Sequence, residues 1–353
     1  MAKIAILGAG IMATALTYPL TDNGHTVNLV GTHLDEDIIT SIQNTGVHTN
    51  LDLKVNEGVT AYQLADAAEA FEGADLIMSG VNSFGVEWVA EQFKGLLKPG
   101  DKVLSITKGL HAEEDGTLTI LPEVIKQRLG SELADQIKWG AITGPSIAGE
   151  LAVGHDTAVV FTSVDQDYIS WVADLFRTDY YHVWTSTDWI GCEVAAAAKN
   201  IYAFGAGFAK GILASQGKEN DRYVMFNYGA GLFAQGSVEL RQFIELLGGN
   251  GDTATGLCGV GDMFVTSMGG RNVKAGTFVG QGVKFSEVRD VHMKGVTLEG
   301  VAAIGVVGAA LKKLTERGVI KPEDFPFCRY LYSVVAEDAP LDLPWATFFG
   351  GEK

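Results

Sequence analysis

Lys3-Ile4-Ala5-Ile6-Leu7-Gly8-Ala9-Gly10-Ile11-Met12-Ala13 runs from apolar residues through a pair of glycines into helix-forming ones. The apolar run predicts a buried strand, and residues 10–23 a helix that Pro19 kinks or shortens and Gly24 ends. Between them, Gly8 to Ala13 match G-x-G-x-x-A. The first glycine makes a tight turn, and the second lets backbone approach a pyrophosphate. The small third residue allows close packing of helix on sheet, and the helix N-terminus attracts the phosphates. A structural glycine turn is the other reading; the strand–turn–helix setting favours a dinucleotide loop.

The same alternation continues outward. Strands are expected at 25–30, 74–81, 102–107, 137–143, 158–163 and 181–184. Helices are expected at 34–43, 64–71 and 84–97, the last closed by Lys98-Pro99-Gly100. Uncharged runs such as Leu76-Ile77-Met78 suit strands buried on both faces, so the expected fold is α/β, a Rossmann-like doubly wound parallel sheet. After about residue 188 the pattern turns helical, with periods at 192–210, 223–247, 298–317 and 326–335. The chain of 353 residues then divides into a dinucleotide-binding domain, 1–188, and a mostly helical substrate-binding and catalytic domain, 189–353. No Pro/Ser-rich linker separates them, and a cleft between domains is the default ligand site.

Composition removes several classes. There are 26 Lys and Arg against 43 Asp and Glu, a formal net charge of −17, so no basic face is expected for nucleic acid or an anionic membrane. Cys192, Cys258 and Cys328 are an odd, scattered set without a CxxC, which excludes a disulfide scaffold or zinc ribbon; no metal site is expected. The first strand begins too early for a secretory signal, and the longest apolar run, Gly300 to Leu311, is shorter than the about twenty residues of a membrane span. A cytoplasmic protein is the expectation.

The second strand should end at an adenosine ribose. An acid there marks NAD, yet Gly31-Thr32-His33 stands at that point, Asp35 and Glu36 come later, and no arginine marks a 2′-phosphate. NAD and NADP both stay open, and His33 reads as an exposed loop residue. Thr107-Lys108-Gly109-Leu110 puts a lysine at a strand's carboxyl end, facing a cofactor crevice or merely solvent. Gly144-Pro145-Ser146-Ile147-Ala148 lines a pocket or makes a turn. Glu193, four alanines and Lys199-Asn200 place an amine on a slim helix, where desolvation lowers its pKa and suits it to proton transfer. A snorkelling surface lysine is the plain alternative. Asp262, among glycines, accepts from a substrate hydroxyl or holds Lys199, and Arg271 offers a fork to phosphate oxygens. Glu299 opens a long apolar helix, commonly only an N-terminal charge.

Taken in order, GxGxxA, TKGL, GPS-x-A-x-E, E-x5-K-N, G-x-GD-x3-T, the Arg271-Asn272 pair and the late Glu299-Gly300 resemble the NAD(P)-dependent glycerol-3-phosphate dehydrogenase family over roughly residues 3–335. The resemblance implies reversible hydride transfer between dihydroxyacetone phosphate and sn-glycerol 3-phosphate with NAD or NADP, feeding glycerophospholipid synthesis, in a homodimer. It implies Lys199 as proton donor and acceptor, Lys108 near substrate and nicotinamide, and Asp262 and Asn200 as orienting groups. Gly144, Ser146, Thr266, Gly270, Arg271 and Asn272 then fall on the substrate. Gly8, Ala9, Gly10, Ile11, Met12, Thr32, Ala148, Arg271 and Glu299 fall on the cofactor.

Two departures bear on substrate identity: Val81-Asn82-Ser83 where many members carry Pro-Ser, and Gly270-Arg271-Asn272-Val273 where bacterial members often carry Ser-Arg-Asn-Arg. A related polyol phosphate is the alternative they raise. A hydroxyacid or 6-phosphogluconate type dehydrogenase shares a first loop of this kind but spaces its lysine and asparagine K-x-x-N, whereas Lys199 and Asn200 are adjacent. A non-catalytic dinucleotide sensor has no need of Lys108, Lys199, Asp262 and Arg271 together.

Overall fold

The computed structural model describes residues 1–218 and 222–350. The chain forms two compact units: Met1–Lys108 with Leu121–Trp189, and Gly109–Ile120 with Ile190–Lys353. The expected division at 188 and 189 lies beside this one, but residues 109–120 belong to the second unit. They form a hairpin, Leu110–Ala112 against Leu118–Ile120. Its turn is held by helix Glu299–Glu316 and the residue after it: Lys313 Nζ donates to the Glu114 carbonyl at 2.6 Å, and Arg317 to that of Asp115 at 3.1 Å. No helix among the described residues is long and apolar enough to cross a membrane.

The first unit is built on one sheet of eight strands: β1 Lys3–Leu7, β2 Thr26–Val30, β3 Val59–Tyr62, β4 Leu76–Ser79, β5 Lys102–Ser105, β6 Lys138–Thr143, β7 Thr157–Thr162 and β8 Tyr181–Ser186. Their order across the sheet is β8-β7-β6-β5-β4-β1-β2-β3. Ile4 pairs in parallel register with Val27 on one side and Leu76 on the other. Ile4, Ala5, Ile6 and Leu7 are completely buried, as a strand covered on both faces requires.

The sheet is the expected parallel-dominated one, with a single antiparallel pairing toward one side: β7 runs parallel to the edge strand β8 and antiparallel to β6. The residues between them contain only the short helix Ala148–Ala152. A parallel return needs a crossover, usually a full helix, and here the chain turns back beside β6 instead. The expected helix at 10–23 is two helices, Ile11–Ala15 and Thr17–Asp22, parted at Leu16. Pro19 has no N–H to give the Ala15 carbonyl, so the ladder stops one turn before the ring.

The second unit packs Phe208–Ser215 against Arg271–Gly280 with almost no side chain between them. A Cβ on Gly211 would lie 2.0 Å from the Thr277 carbonyl oxygen, and one on Gly276 1.9 Å from that of Phe204. Glycine is obligatory at this crossing.

A buried carboxylate ties two further helices. Glu239, on helix Phe226–Leu246, is fully buried. It accepts from Gln235 at 2.8 Å, Tyr202 at 3.0 Å and the backbone N–H groups of Phe327 and Cys328 at 2.6 and 2.9 Å. The last two are donors that helix Pro326–Glu337 cannot satisfy itself. Burial pushes the carboxyl pKa up, and the four donors pull against it. Glu239→Gln turns an amide N–H toward donors and should cost about 1–2 kcal/mol in urea unfolding. No loss of stability would show that the carboxylate does not organise this cap.

Candidate functional site

The glycine loop lies where the reading of the sequence put it, at the carboxyl end of β1. Gly8 has φ +115°, and a Cβ there would sit 2.8 Å from the Gly80 carbonyl group. Its N–H donates to the Val30 carbonyl at 2.8 Å, and Gly80 N–H to that of Leu7 at 2.8 Å. These bonds hold the ends of β1, β2 and β4 together. Gly10 is different: a Cβ there would meet only the Gly80 oxygen, at 3.9 Å. The protein's own packing does not demand glycine at this position. A pyrophosphate approaching the backbone does, so the loop fits a dinucleotide.

Ala9 is clamped on both sides by residues the sequence reading missed. Its N–H donates to Asp35 Oδ2 at 3.2 Å, and its carbonyl accepts from His48 Nε2 at 2.8 Å. His48 Nδ1 accepts from Leu51 N–H at 3.0 Å, so Nε2 carries the proton. His48 is fully buried on the ribbon formed by Val47–His48 and Leu53–Lys54. Thr32 is tied inward, its N–H and hydroxyl donating to the same Asp35 oxygen at 2.9 and 2.8 Å. His33 is exposed, as expected, and its ring tilts against Trp88 with centroids 5.2 Å apart.

The other residues of the first unit gather on the same edge. Lys108 is half-buried past the end of β5 and donates to the Gly144 carbonyl past the end of β6 at 3.2 Å. It is therefore not the solvated surface lysine of the plain reading. Gly144 needs its glycine, with φ +98°. Ser146 Oγ lies 3.9 Å from Met12 Sδ, Ala148 is buried at the start of its helix, and Ile11 is exposed. Gly8, Gly10, Thr32, Lys108 and Gly144 thus all follow carboxyl ends of parallel strands, where open α/β sheets bind ligands.

In the second unit Lys199 lies on helix Trp189–Ala206 after four buried alanines, Ala195 to Ala198. It is only 6 % exposed and Asp262 only 2 %. The ammonium donates to the Asp262 carboxylate and, at 2.8 Å, to Thr266 Oγ1. Asp262 and Thr266 sit one turn apart on helix Asp262–Ser267, and the Thr266 hydroxyl also donates to the Asp262 carbonyl at 2.7 Å. Of the two expectations for Asp262, holding Lys199 is the one observed.

A second group forms around Gly300. Its N–H donates to Asn272 Oδ1 at 3.1 Å, and a Cβ on it would fall 2.3 Å from the Asn200 carbonyl oxygen. Asn272 therefore anchors the start of helix Glu299–Glu316, and Asn200, Asn272 and Glu299 come together through it. Gly270, with φ +98°, turns the chain into helix Arg271–Gly280. Arg271 is exposed and makes no ion pair among the described residues.

A lysine buried against a carboxylate carries a desolvation penalty and adds little stability, so the pair points to work for the lysine's proton. With a dinucleotide loop in the same chain, that work defines an NAD(P)-dependent oxidoreductase. Comparison with known proteins narrows the class. Residues 3–169 match the NAD-dependent glycerol-3-phosphate dehydrogenase N-terminus, and residues 188–344 the C-terminus of the same family. The chain belongs to the NAD-dependent glycerol-3-phosphate dehydrogenase family.

An Archaeoglobus fulgidus NADP(+)-dependent glycerol-3-phosphate dehydrogenase is 35 % identical over 295 residues, 83 % of this chain and 84 % of that protein. A Lactococcus lactis glycerol-3-phosphate dehydrogenase [NAD(P)+] is 31 % identical over 338 residues, 95 % of this chain and 91 % of that one. The crystal structure of glycerol-3-phosphate dehydrogenase from Coxiella burnetii superposes with a TM-score of 0.78 at 27 % identity, covering 96 % of this chain and 95 % of that chain.

Proposed function

We propose that the chain interconverts dihydroxyacetone phosphate and sn-glycerol 3-phosphate with NAD or NADP, and that Lys199 moves the proton. The observation that carries this reading is the buried Lys199, Asp262 and Thr266 cluster. The first unit holds the dinucleotide through Gly8, Ala9, Gly10, Ile11 and Met12, with Thr32, Ala148, Arg271 and Glu299 completing its contacts. When bound, it supplies or accepts a hydride at the substrate's C2.

In the reducing direction Lys199 gives a proton to the C2 oxygen as negative charge grows there, and Asp262 and Thr266 keep the nitrogen aimed at that oxygen. In the oxidising direction the neutral amine takes the hydroxyl proton. Lys108 polarises the carbonyl, and Asn200, Gly144 and Ser146 orient the substrate. Arg271, Gly270 and Asn272 receive its phosphate. Cations thus stand where an alkoxide develops and where a dianion must be held. Family membership further supports a homodimer, and three buried cysteines outside any disulfide among the described residues fit a reducing cytoplasm.

Steady-state assays of dihydroxyacetone phosphate beside longer ketose phosphates, with NADH and NADPH in parallel, test the substrate. The expected outcome is the highest kcat/KM for the three-carbon ester. A larger value for another ketose phosphate would move the assignment to that polyol.

A further inference from the structure

We propose that Asp35 sets the enzyme's discrimination at the adenosine 2′ position, biasing the site toward an unphosphorylated ribose. The inference rests on the reading of the first unit as the dinucleotide-binding one. Position 31, just past the end of β2, is where an NAD enzyme often carries its ribose acid, and it holds a glycine. A side chain there is excluded, because a Cβ on Gly31 would lie 2.6 Å from Ile39. Thr32 does not replace the acid, since its hydroxyl donates to Asp35 at 2.8 Å and accepts from Leu34 N–H at 3.2 Å.

Asp35 comes later in the sequence but folds back to the same point. The turn Thr32 to Asp35 is closed by Asp35 N–H donating to the Thr32 carbonyl at 3.1 Å. One carboxylate oxygen, Oδ2, then gathers Ala9 N–H, Thr32 N–H and the Thr32 hydroxyl at 3.2, 2.9 and 2.8 Å. It bridges the phosphate loop after β1 and the ribose turn after β2, which is the place of the absent acid. Among the described residues nothing donates to Oδ1, and no Lys, Arg or His pairs with the carboxylate. Oδ1 is thus available to accept a ribose hydroxyl. A 2′-phosphate at that spot meets an uncompensated like charge.

The inference is tested by binding alone, without substrate, in the full-length protein. Dissociation constants for NADH and NADPH are measured by nucleotide fluorescence for wild type and Asp35→Asn. Asparagine keeps an oxygen for Ala9 and Thr32 and loses the charge. The ratio Kd(NADPH)/Kd(NADH) should fall by roughly tenfold or more, mostly through tighter NADPH. An equal change in both constants, or none, would make Asp35 only a brace for the loop and overturn the proposal.

Wild type that binds neither nucleotide would instead defeat the dinucleotide reading itself. Should the variant not fold, salt puts the question to wild type. Screening should lower the ratio if a repelled phosphate dominates it, and a constant or rising ratio would overturn the inference.

Discussion

Replacing Lys199 with methionine should lower kcat for dihydroxyacetone phosphate reduction by roughly 10²–10⁴-fold, the usual contribution of a positioned acid–base group. Methionine keeps an unbranched stem among Ala195 to Ala198 and removes only the ammonium. The substitution also leaves Asp262, 2 % exposed, as a buried carboxylate without its cation. Breaking such a pair costs about 3–5 kcal/mol of stability, so loss of activity alone would not separate chemistry from folding.

The double variant Lys199→Met, Asp262→Asn separates them. It removes the unpaired charge and should recover most of the lost stability in urea unfolding, while kcat stays low. NADH affinity should hold in both variants, because the first unit carries the glycine loop. A double variant that regains turnover with its stability would show that Lys199 serves the fold and not the reaction.

The second large effect is expected at Arg271. The chain carries −17 charges and repels a dianionic ester at long range, so capture depends on a local cation. Arg271 is exposed, starts its helix after the Gly270 turn, and pairs with no carboxylate among the described residues. Its fork is available for phosphate oxygens. With the bound ester covering and desolvating the guanidinium, Arg271→Ala should reduce kcat/KM for dihydroxyacetone phosphate by roughly 2–5 kcal/mol, or about thirtyfold to a few thousandfold; a pair left in solvent would lose only about tenfold or less.

Most of that loss should lie in KM. Some falls on kcat as well, since phosphate binding also orients the carbonyl. Dihydroxyacetone, a poor substrate already, should lose almost nothing. Arg271→Lys should recover only part of the effect, because a point charge lacks the bidentate fork. Equal losses on the phosphorylated and unphosphorylated ketones would assign Arg271 to the cofactor or to the fold.

The parts of the molecule legible in its sequence were those whose cause is local. Ile4 to Leu7 announce a strand because both faces are covered, and Gly8 announces the loop because its turn and the Gly80 backbone exclude a side chain, while Gly10 fits the motif without the packing requiring it. Pro19 announced a break, though its place at Leu16 depends on which carbonyl loses its donor. Lys199 and Asp262 were legible as residue types, and their contact as one of two readings for the carboxylate, between which the fold decides.

What stayed hidden depends on long-range pairing. His48 reaches the loop from a two-residue strand with no periodicity to reveal it. Asp35 stands too far beyond its strand in the sequence to mark the ribose, and only the Thr32 turn brings it back. The reversal of β7 and the docking of hairpin 109–120 on helix Glu299–Glu316 have no local signal either. Asn272, read as a phosphate ligand, also proved to cap Gly300, a partner that only the fold supplies.

The proposed reaction is hydride transfer to C2 of a three-carbon phosphate ester with a proton added at its oxygen. The direct measurement is the position of isotope in the product when the protein turns over dihydroxyacetone phosphate with NADH or NADPH carrying deuterium at the transferred C4 position. The expected product is sn-glycerol 3-phosphate with a single deuterium on C2 and none on C1 or C3. Absence of deuterated glycerol 3-phosphate with either nucleotide, from protein that binds the nucleotide, would contradict it.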